Sequence, residues 1–444
     1  MWPRSSINER TMHNTDFDLK LDRLTKVEGS ASLDIRVKNG QVEYAHFQIT
    51  EYKRFFTQAM QRKPIIALPQ LLSRICGTCS NAHIMASIEA CEHALDIKPS
   101  EQTKILRDLT MYGLNIRDHA LHLYLFALPD VRGKDAFLDF DENDPVEHQM
   151  LHDAFEIKAA GNFFSELIAG RSVHAPYPVI GGFMHFPDQK GITEAIKKFE
   201  AVRPAVLRTI EIYKNQPFHF DRKTNFMALV PYDHYGFIEG CINTGLGECI
   251  TEEGYRDHLE RVVLPYSQAS GYKYRGGAYM VGALARMNLA KNLLHARTKD
   301  ASGGALDIFP STDIYMSNLA QAIEILHCLD HSLEILKTRK FNPEPIIKKP
   351  FREAVGIGVV EAPRGTLYHK VVVGADGMVK EGEIIVPTGQ NQINIENDVA
   401  ALVEKMLPDT SQEKMQFEIE KLIRAYDPCM SCAAHFLKVK WLEP

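Results

Sequence analysis

The stretch RICGTCSNAH, residues 74–83, and its counterpart DPCMSCAAH, residues 427–435, decide the reading of this chain. Each holds a Cys-x-x-Cys pair, Cys76/Cys79 and Cys429/Cys432. That spacing lets two thiolates reach one metal from a single turn. Zinc ribbons set their pairs about 15–20 residues apart, whereas these pairs lie 353 residues apart. A site made from both would be enclosed by the fold, its halves brought from the two ends of the chain. Gly77 permits a tight turn. Pro428 ends a preceding helix. His83 opens an apolar helix, placed to support a ligand. Four thiolates suit nickel, zinc or iron. From spacing alone, a zinc clasp or buried unliganded thiols remain as open as a functional metal centre.

Outward from these pairs, the composition is that of a globular protein. The chain has 444 residues, 45% hydrophobic and 24% charged, with a net charge of −6. Mixed charge and high apolar content exclude dominant disorder. No dense Lys/Arg run appears, so no nucleic-acid partner is expected. No uncharged apolar span of about 18 residues is present, so no membrane span is expected. Met1–Lys20 is polar and lacks the apolar stretch of a secretory signal. A reducing, cytoplasmic setting follows as the expectation, and there thiols serve as ligands rather than disulfides. Cys91, Cys241, Cys249 and Cys328 lack a paired spacing and read as buried structural cysteines.

Residues 1–20 read as a loose arm. Ser30–Thr50 alternates as a hairpin turning at Asn39-Gly40, and Leu367–Val386 as another turning at Asp376-Gly377. Between them the text is mostly helical. Apolar residues at three- and four-residue spacing predict helices over His83–Leu95, Pro99–Leu128, Pro145–Ala169, Gly191–Asn215 and Thr312–Lys337. Two more follow, Asn397–Leu407 and Ser411–Tyr426. The expected fold is α+β, a large helical body with long central helices and small antiparallel sheets near both ends of the sequence.

The motifs R-x-C-G-x-C-x-x-x-H and D-P-C-x-x-C-x-x-H resemble those of the large subunit of nickel–iron hydrogenases. Further segments agree in order: Val27-Glu28-Gly29, Arg117-Asp118-His119, Glu361-Ala-Pro363-Arg364-Gly365 and Val386-Pro387-Thr388. The resemblance spans about Leu24 to His435, one domain over 21–435 followed by a tail, 436–444. Ser431 and the Arg54-Phe-Phe run look most like the cytosolic, cofactor-coupled branch.

The resemblance implies a nickel–iron centre. Cys76 and Cys429 would be terminal nickel thiolates. Cys79 and Cys432 would bridge nickel to an iron that carries carbon monoxide and cyanide. The implied reaction is reversible cleavage of dihydrogen, with electrons passed to an iron–sulfur small subunit. Glu28 matches the residue that carries the proton away from Cys429. Arg364 would aim a permanent cation at the metals, held by Asp118 and Asp427. Thr388 matches the hydroxyl that bonds an iron cyanide, Pro363 an apolar pocket wall, and His83 the partner of a bridging cysteine.

The family pattern is not followed everywhere. Thr57 stands where relatives have a glutamate for a magnesium-type ion, leaving Glu51 and His435 as its candidate ligands. Thr78 replaces a common apolar residue at the mouth of the gas route. The tail after His435 resembles an extension removed by a maturation protease, which with a maturation chaperone joins the implied partners. Further flavin or iron–sulfur subunits are implied too, because no Gly-rich dinucleotide motif appears in this chain. Three other functions keep the same fold or thiols: a hydrogen sensor, a non-catalytic quinone-module subunit and a zinc-stabilised scaffold.

Overall fold

The computed structural model describes residues 16–52 and 55–434. Alternation builds the first sheet. In Ala31–Lys38 (β2), Ala31, Leu33, Ile35 and Val37 are buried and the residues between them are not, as a strand with one face in the core requires. β2 turns at Asn39-Gly40 into Gln41–Ile49 (β3). Both turn residues have positive φ, the geometry that matches strand twist in a two-residue hairpin. Phe17–Leu21 (β1) pairs antiparallel with β2. The end of the expected arm is therefore part of this sheet, and residues 1–15 lie outside the described residues.

The helical body contains Ser80–Leu95 (α1), Glu101–Leu121 (α2), Pro145–Ala169 (α3), Gln189–Lys214 (α4) and Met316–Thr338 (α5). α2 packs on α3 and α5, and α4 on the same two helices. Local chemistry fixes both ends of α3. The Asp144 carboxylate accepts from the N–H groups of Val146 and Glu147 at 2.9 Å each, Pro145 occupies the first turn, and Gly170 ends the helix at φ +85°. The helix expected to run from Pro99 to Leu128 is interrupted. After α2, residues His122–Ala127 form a π turn before the short helix Leu128–Val131. Pro129 supplies the reason, because it lacks an N–H and its ring crowds the carbonyl four residues back.

The second sheet has three strands, Ala354–Ala362 (β4), Gly365–Val373 (β5) and Val379–Ile385 (β6), in that order. β4 lies ahead of the expected hairpin, so that Arg364 stands between two strands. β4 also lies directly under α1: a Cβ on Gly356 would come within 1.9 Å of the Ala90 carbonyl oxygen, and one on Gly358 within 2.3 Å of that of Ala86. Pro387–Met406 (α6) begins ahead of the expected Asn397, followed by Gln412–Ala425 (α7) and the short Met430–Ala433 (α8).

The stretch from Asn225 to Met280 departs from the helical expectation. It holds Ala228–Val230 paired with Cys241–Asn243 and Cys249–Ile250, Leu259–Val263 paired with Ser270–Tyr274, and a parallel pair, Asn225–Phe226 with Tyr279–Met280. Strands this short leave no readable period. Cys241 and Cys249 also correct the expectation of buried thiols. Strand pairing brings their Cα atoms to 5.6 Å, and they form a disulfide with Cys249 exposed, a separation within the bonding range. Cys91 and Cys328 are buried free thiols as expected.

Candidate metal centre

Two chain ends meet at the cysteines. After Leu68–Leu72 and the turn Ser73–Ile75, Cys76 is extended, and Cys79 stands at the N-cap of α1. From the other end, α7 stops before Tyr426, and Asp427 turns the chain at φ +50°. Aspartate is among the few side chains that tolerate this left-handed conformation. Cys429 is then extended and caps α8. Glu28 lies alongside: its carbonyl accepts from the Met430 N–H at 3.0 Å, in a parallel bridge between Glu28 and Cys429. Gly77 is exposed, has no positive φ, and has open space where a Cβ would stand. The turn therefore does not depend on glycine, contrary to the sequence reading.

The four thiols converge. All four Sγ atoms lie within 4.8 Å of one another, and all four residues are buried. Cys76 and Cys429 are 3.4 Å apart, Cys79 and Cys432 3.1 Å, and Cys429 and Cys432 3.1 Å. Thiol donation from Cys429, Cys432 and Cys79 pulls Cys76 well below the usual thiol range. Burial pushes Cys429 and Cys432 well above it. The bare cluster thus favours one thiolate, and four need a cation among them.

The polar groups around the thiols come from distant elements. Glu28 Oε2 lies 3.0 Å from Cys429 Sγ. The Ser431 N–H donates to the same oxygen at 3.1 Å, and the Ser431 hydroxyl donates to Oε1 at 2.6 Å. The Thr388 hydroxyl oxygen accepts from the Cys429 N–H at 2.9 Å, so its own proton remains free to donate. His83 Nε2 is 3.7 Å from Cys432 Sγ, and its Nδ1 is 3.1 Å from His369 Nε2. Burial lowers the His83 pKa to about 4, which keeps the ring neutral.

Arg364 occupies the two-residue turn between β4 and β5 with Pro363, which is buried. It donates to Asp118 Oδ2 at 2.6 Å and lies 2.9 Å from Asp427 Oδ1, the latter a charge contact rather than an aligned hydrogen bond. Burial works against its charge, but Asp118 and Asp427, then Cys429 and Cys79, hold it firmly protonated. Its Nε is buried without a hydrogen-bond partner. Glu51 reaches the same knot: its Oε2 lies 3.0 Å from where a Gly29 Cβ would stand, and a Cβ there would also meet Met430. Thr57 lies in Phe56–Ala59. His435 and Arg54 lie outside the described residues.

Several residues here were not singled out from the sequence. Arg286 donates to Glu324 twice at 2.7 Å, to Glu361 at 2.8 Å, and to the carbonyls of Ala362 and Pro363 at 3.0 Å each. It therefore fixes the turn that presents Arg364. Gln321 donates to Asp427 at 3.2 Å, and Arg117, from the segment already matched in the sequence, donates to the Thr78 carbonyl at 2.7 Å. A lone Arg in the apolar run ALARMNLA and Glu324 in the apolar run LAQAIEIL of α5 were the available signals, since a charge in an apolar helix needs a buried partner.

With this geometry in view, sequence comparison matches residues 57–152 and 248–435 to the family described as nickel-dependent hydrogenase. The chain belongs to that family. Sulfhydrogenase 2 subunit alpha of Pyrococcus furiosus is 32% identical over 427 residues, covering 95% of this chain and all of the relative. Sulfhydrogenase 1 subunit alpha of the same organism is 29% identical over 433 residues, covering 96% and 100%. The crystal structure of an NAD+-reducing NiFe-hydrogenase in the H2-reduced state has the same fold, with a TM-score of 0.84 at 24% identity over 95% of this chain and 100% of that one. Soft, convergent thiols beside a buried guanidinium with a free N–H fit a nickel-dependent centre.

Proposed function

We propose that this chain is the hydrogen-splitting large subunit of a nickel–iron hydrogenase, with Cys76 and Cys429 as terminal nickel thiolates and Cys79 and Cys432 as bridges to an iron carrying carbon monoxide and cyanide. The observation that carries the reading is the convergence of four buried thiols with a carboxylate 3.0 Å from one of them. When bound, such a centre supplies a Lewis acid that polarises dihydrogen and takes up its two electrons.

The protein's own groups handle the protons and the charge. Cys429 Sγ accepts a proton and passes it to Glu28 Oε2 across 3.0 Å. Ser431 fixes both oxygens of that carboxylate, so its orientation is set before the proton arrives. Each dihydrogen yields two protons, which leave by this route, and two electrons, which leave separately. Arg364 stays cationic throughout and steadies charge at the centre, because deprotonating a guanidinium is too costly for a base role. Thr388 has a hydroxyl proton to offer a cyanide nitrogen, Pro363 closes the pocket with an apolar wall, and His83 steadies Cys432. A magnesium-type ion at Glu51 and His435 belongs to the same reading, with Thr57 offering only a hydroxyl.

The electron acceptor is an iron–sulfur small subunit. The relatives' designation as alpha subunits supports it, as does the exposure of Arg74 and Gly77 beside the buried Cys76. Further electron-transfer subunits, a maturation chaperone and protease acting on the tail, and a cytoplasmic location complete the proposal. Among the described residues no helix is long and apolar enough to cross a membrane.

Metal analysis and infrared spectroscopy of the natively purified complex test this. Nickel, iron and bands of bound carbon monoxide and cyanide are expected. Mass spectrometry of the C-terminus separates an unprocessed precursor from finished protein. Zinc, or no metal, in a finished complex would overturn the reading.

A further inference from the structure

A second group of ligating side chains lies at the far end of α1. Glu89 and His93 sit four residues apart on that helix and so share a face. Glu252, from the turn Glu252–Asp257, completes the group. One carboxylate oxygen from each glutamate and one imidazole nitrogen lie within 4.8 Å of one another.

Two of the three are already aimed by β4. The Val359 N–H donates to Glu89 Oε2 at 2.8 Å, which leaves Oε1 free. His93 Nδ1 lies 2.5 Å from the Ile357 carbonyl oxygen. A carbonyl only accepts, so Nδ1 carries the proton and Nε2 keeps its lone pair. Metal-bound histidines are commonly fixed through their other nitrogen in this way. Glu252 is the most telling. It is 9% exposed, and its Oε2 is buried with no hydrogen-bond partner. A buried ionised carboxylate without a donor is costly unless it takes up a proton or something outside the polypeptide satisfies it.

Among the described residues, no Lys or Arg is paired with these three groups, although the exposed Lys98 also lines the cleft. Lys104 lines the same cleft, of about 710 Å³, but pairs with Glu239 at 3.0 Å. Arg107 is taken by Glu92 at 2.5 and 2.8 Å. Glu239 and Glu253 add further negative charge to the cleft wall.

We propose that Glu89, His93 and Glu252 bind a divalent first-row transition metal ion, separate from the four-cysteine centre. Two carboxylates and an imidazole suit manganese, iron(II) or zinc. Water fills the remaining positions from the open cleft. The ion clamps the Glu252–Asp257 turn onto α1 and β4, and so has a structural role. It takes no part in splitting dihydrogen.

The test uses the assembled, nickel-loaded complex, so that the cysteine centre is already filled. After dialysis against a chelator, zinc or manganese alone is titrated calorimetrically. Wild type is expected to take up one equivalent more than Glu252→Gln and His93→Gln, and to gain thermal stability that neither variant gains. Both variants should keep their nickel and turn over dihydrogen within about twofold of wild type. His93 is exposed, so its variant remains informative should Glu252→Gln fold poorly. Equal metal uptake in wild type and His93→Gln would overturn the proposal. So would no uptake by wild type, which would mean that the two carboxyls share a proton.

Discussion

At the residue scale, the proposed mechanism has Glu28 and Arg364 divide the work at the thiols, one moving a proton and the other holding charge. Glu28→Gln keeps the shape and one carbonyl oxygen for Ser431, but an amide cannot relay a proton. Nickel content should stay unchanged while exchange between dihydrogen and solvent protons falls by about a hundredfold or more; exchange by mass spectrometry, against nickel per chain, checks it. Arg364→Lys keeps the charge but loses the fork. One ammonium cannot reach both Asp118 and Asp427, which the guanidinium meets through separate nitrogens at 2.6 and 2.9 Å. Dihydrogen uptake should fall by about a hundredfold with nickel retained. Full uptake in the lysine variant would reduce the role of Arg364 to bare charge.

At the element scale, α1 is the piece that must not move, since Cys79 caps it and His83 lies in its first turn. It rests on Gly358 of β4 with no room for a methyl group. Gly358→Ala should cost about 3 kcal/mol and lower nickel content, read by denaturant melts and metal analysis. Arg286 secures the neighbouring turn. Burial alone would raise the Glu324 pKa, but Arg286 outweighs it and holds it at about 2. Arg286→Met strands Glu324 and Glu361 and should cost about 3–5 kcal/mol at pH 7. In wild type the depressed pKa contributes stability above the unfolded value and loses it as pH falls toward 2. In the variant both carboxyls gain protons on folding, so its deficit should narrow as pH drops from 7 to 5. What the sequence disclosed at this scale follows the same physics. α3 was legible because its apolar residues recur at three- and four-residue spacing, and Asp144, Pro145 and Gly170 bound it in the structure. The start of α6 was not, because its first turns bury Gln390, Asn391 and Gln392, whose amides bond the carbonyls of Thr366, Val281 and Phe47. Apolar periodicity cannot detect a buried face made of amides.

At the scale of the whole molecule, the centre exists only because the two ends of the chain close on each other. The cysteine spacing announced that closure. The contacts that maintain it were hidden, because they join the Glu28–Gly29 segment to residues 430–431 through backbone geometry. Gly29 is where closure can be measured. It has φ +82°, and a Cβ would lie 2.8 Å from Met430 Cβ and 3.2 Å from the Ser431 nitrogen. Gly40 offers the control, with φ +75° and nothing within 4 Å of its would-be Cβ. An alanine at either position incurs the left-handed penalty, about 1–2 kcal/mol. Only Gly29→Ala should also push α8 away from Glu28, lengthen the path from Cys429 to the carboxylate and release metal. Both variants should melt earlier than wild type. Nickel per chain should stay full in Gly40→Ala and fall in Gly29→Ala, together with proton exchange. Equal nickel in the two would mean that the thiols hold the ends together unaided, and that the Glu28–Met430 bridge follows from closure without causing it.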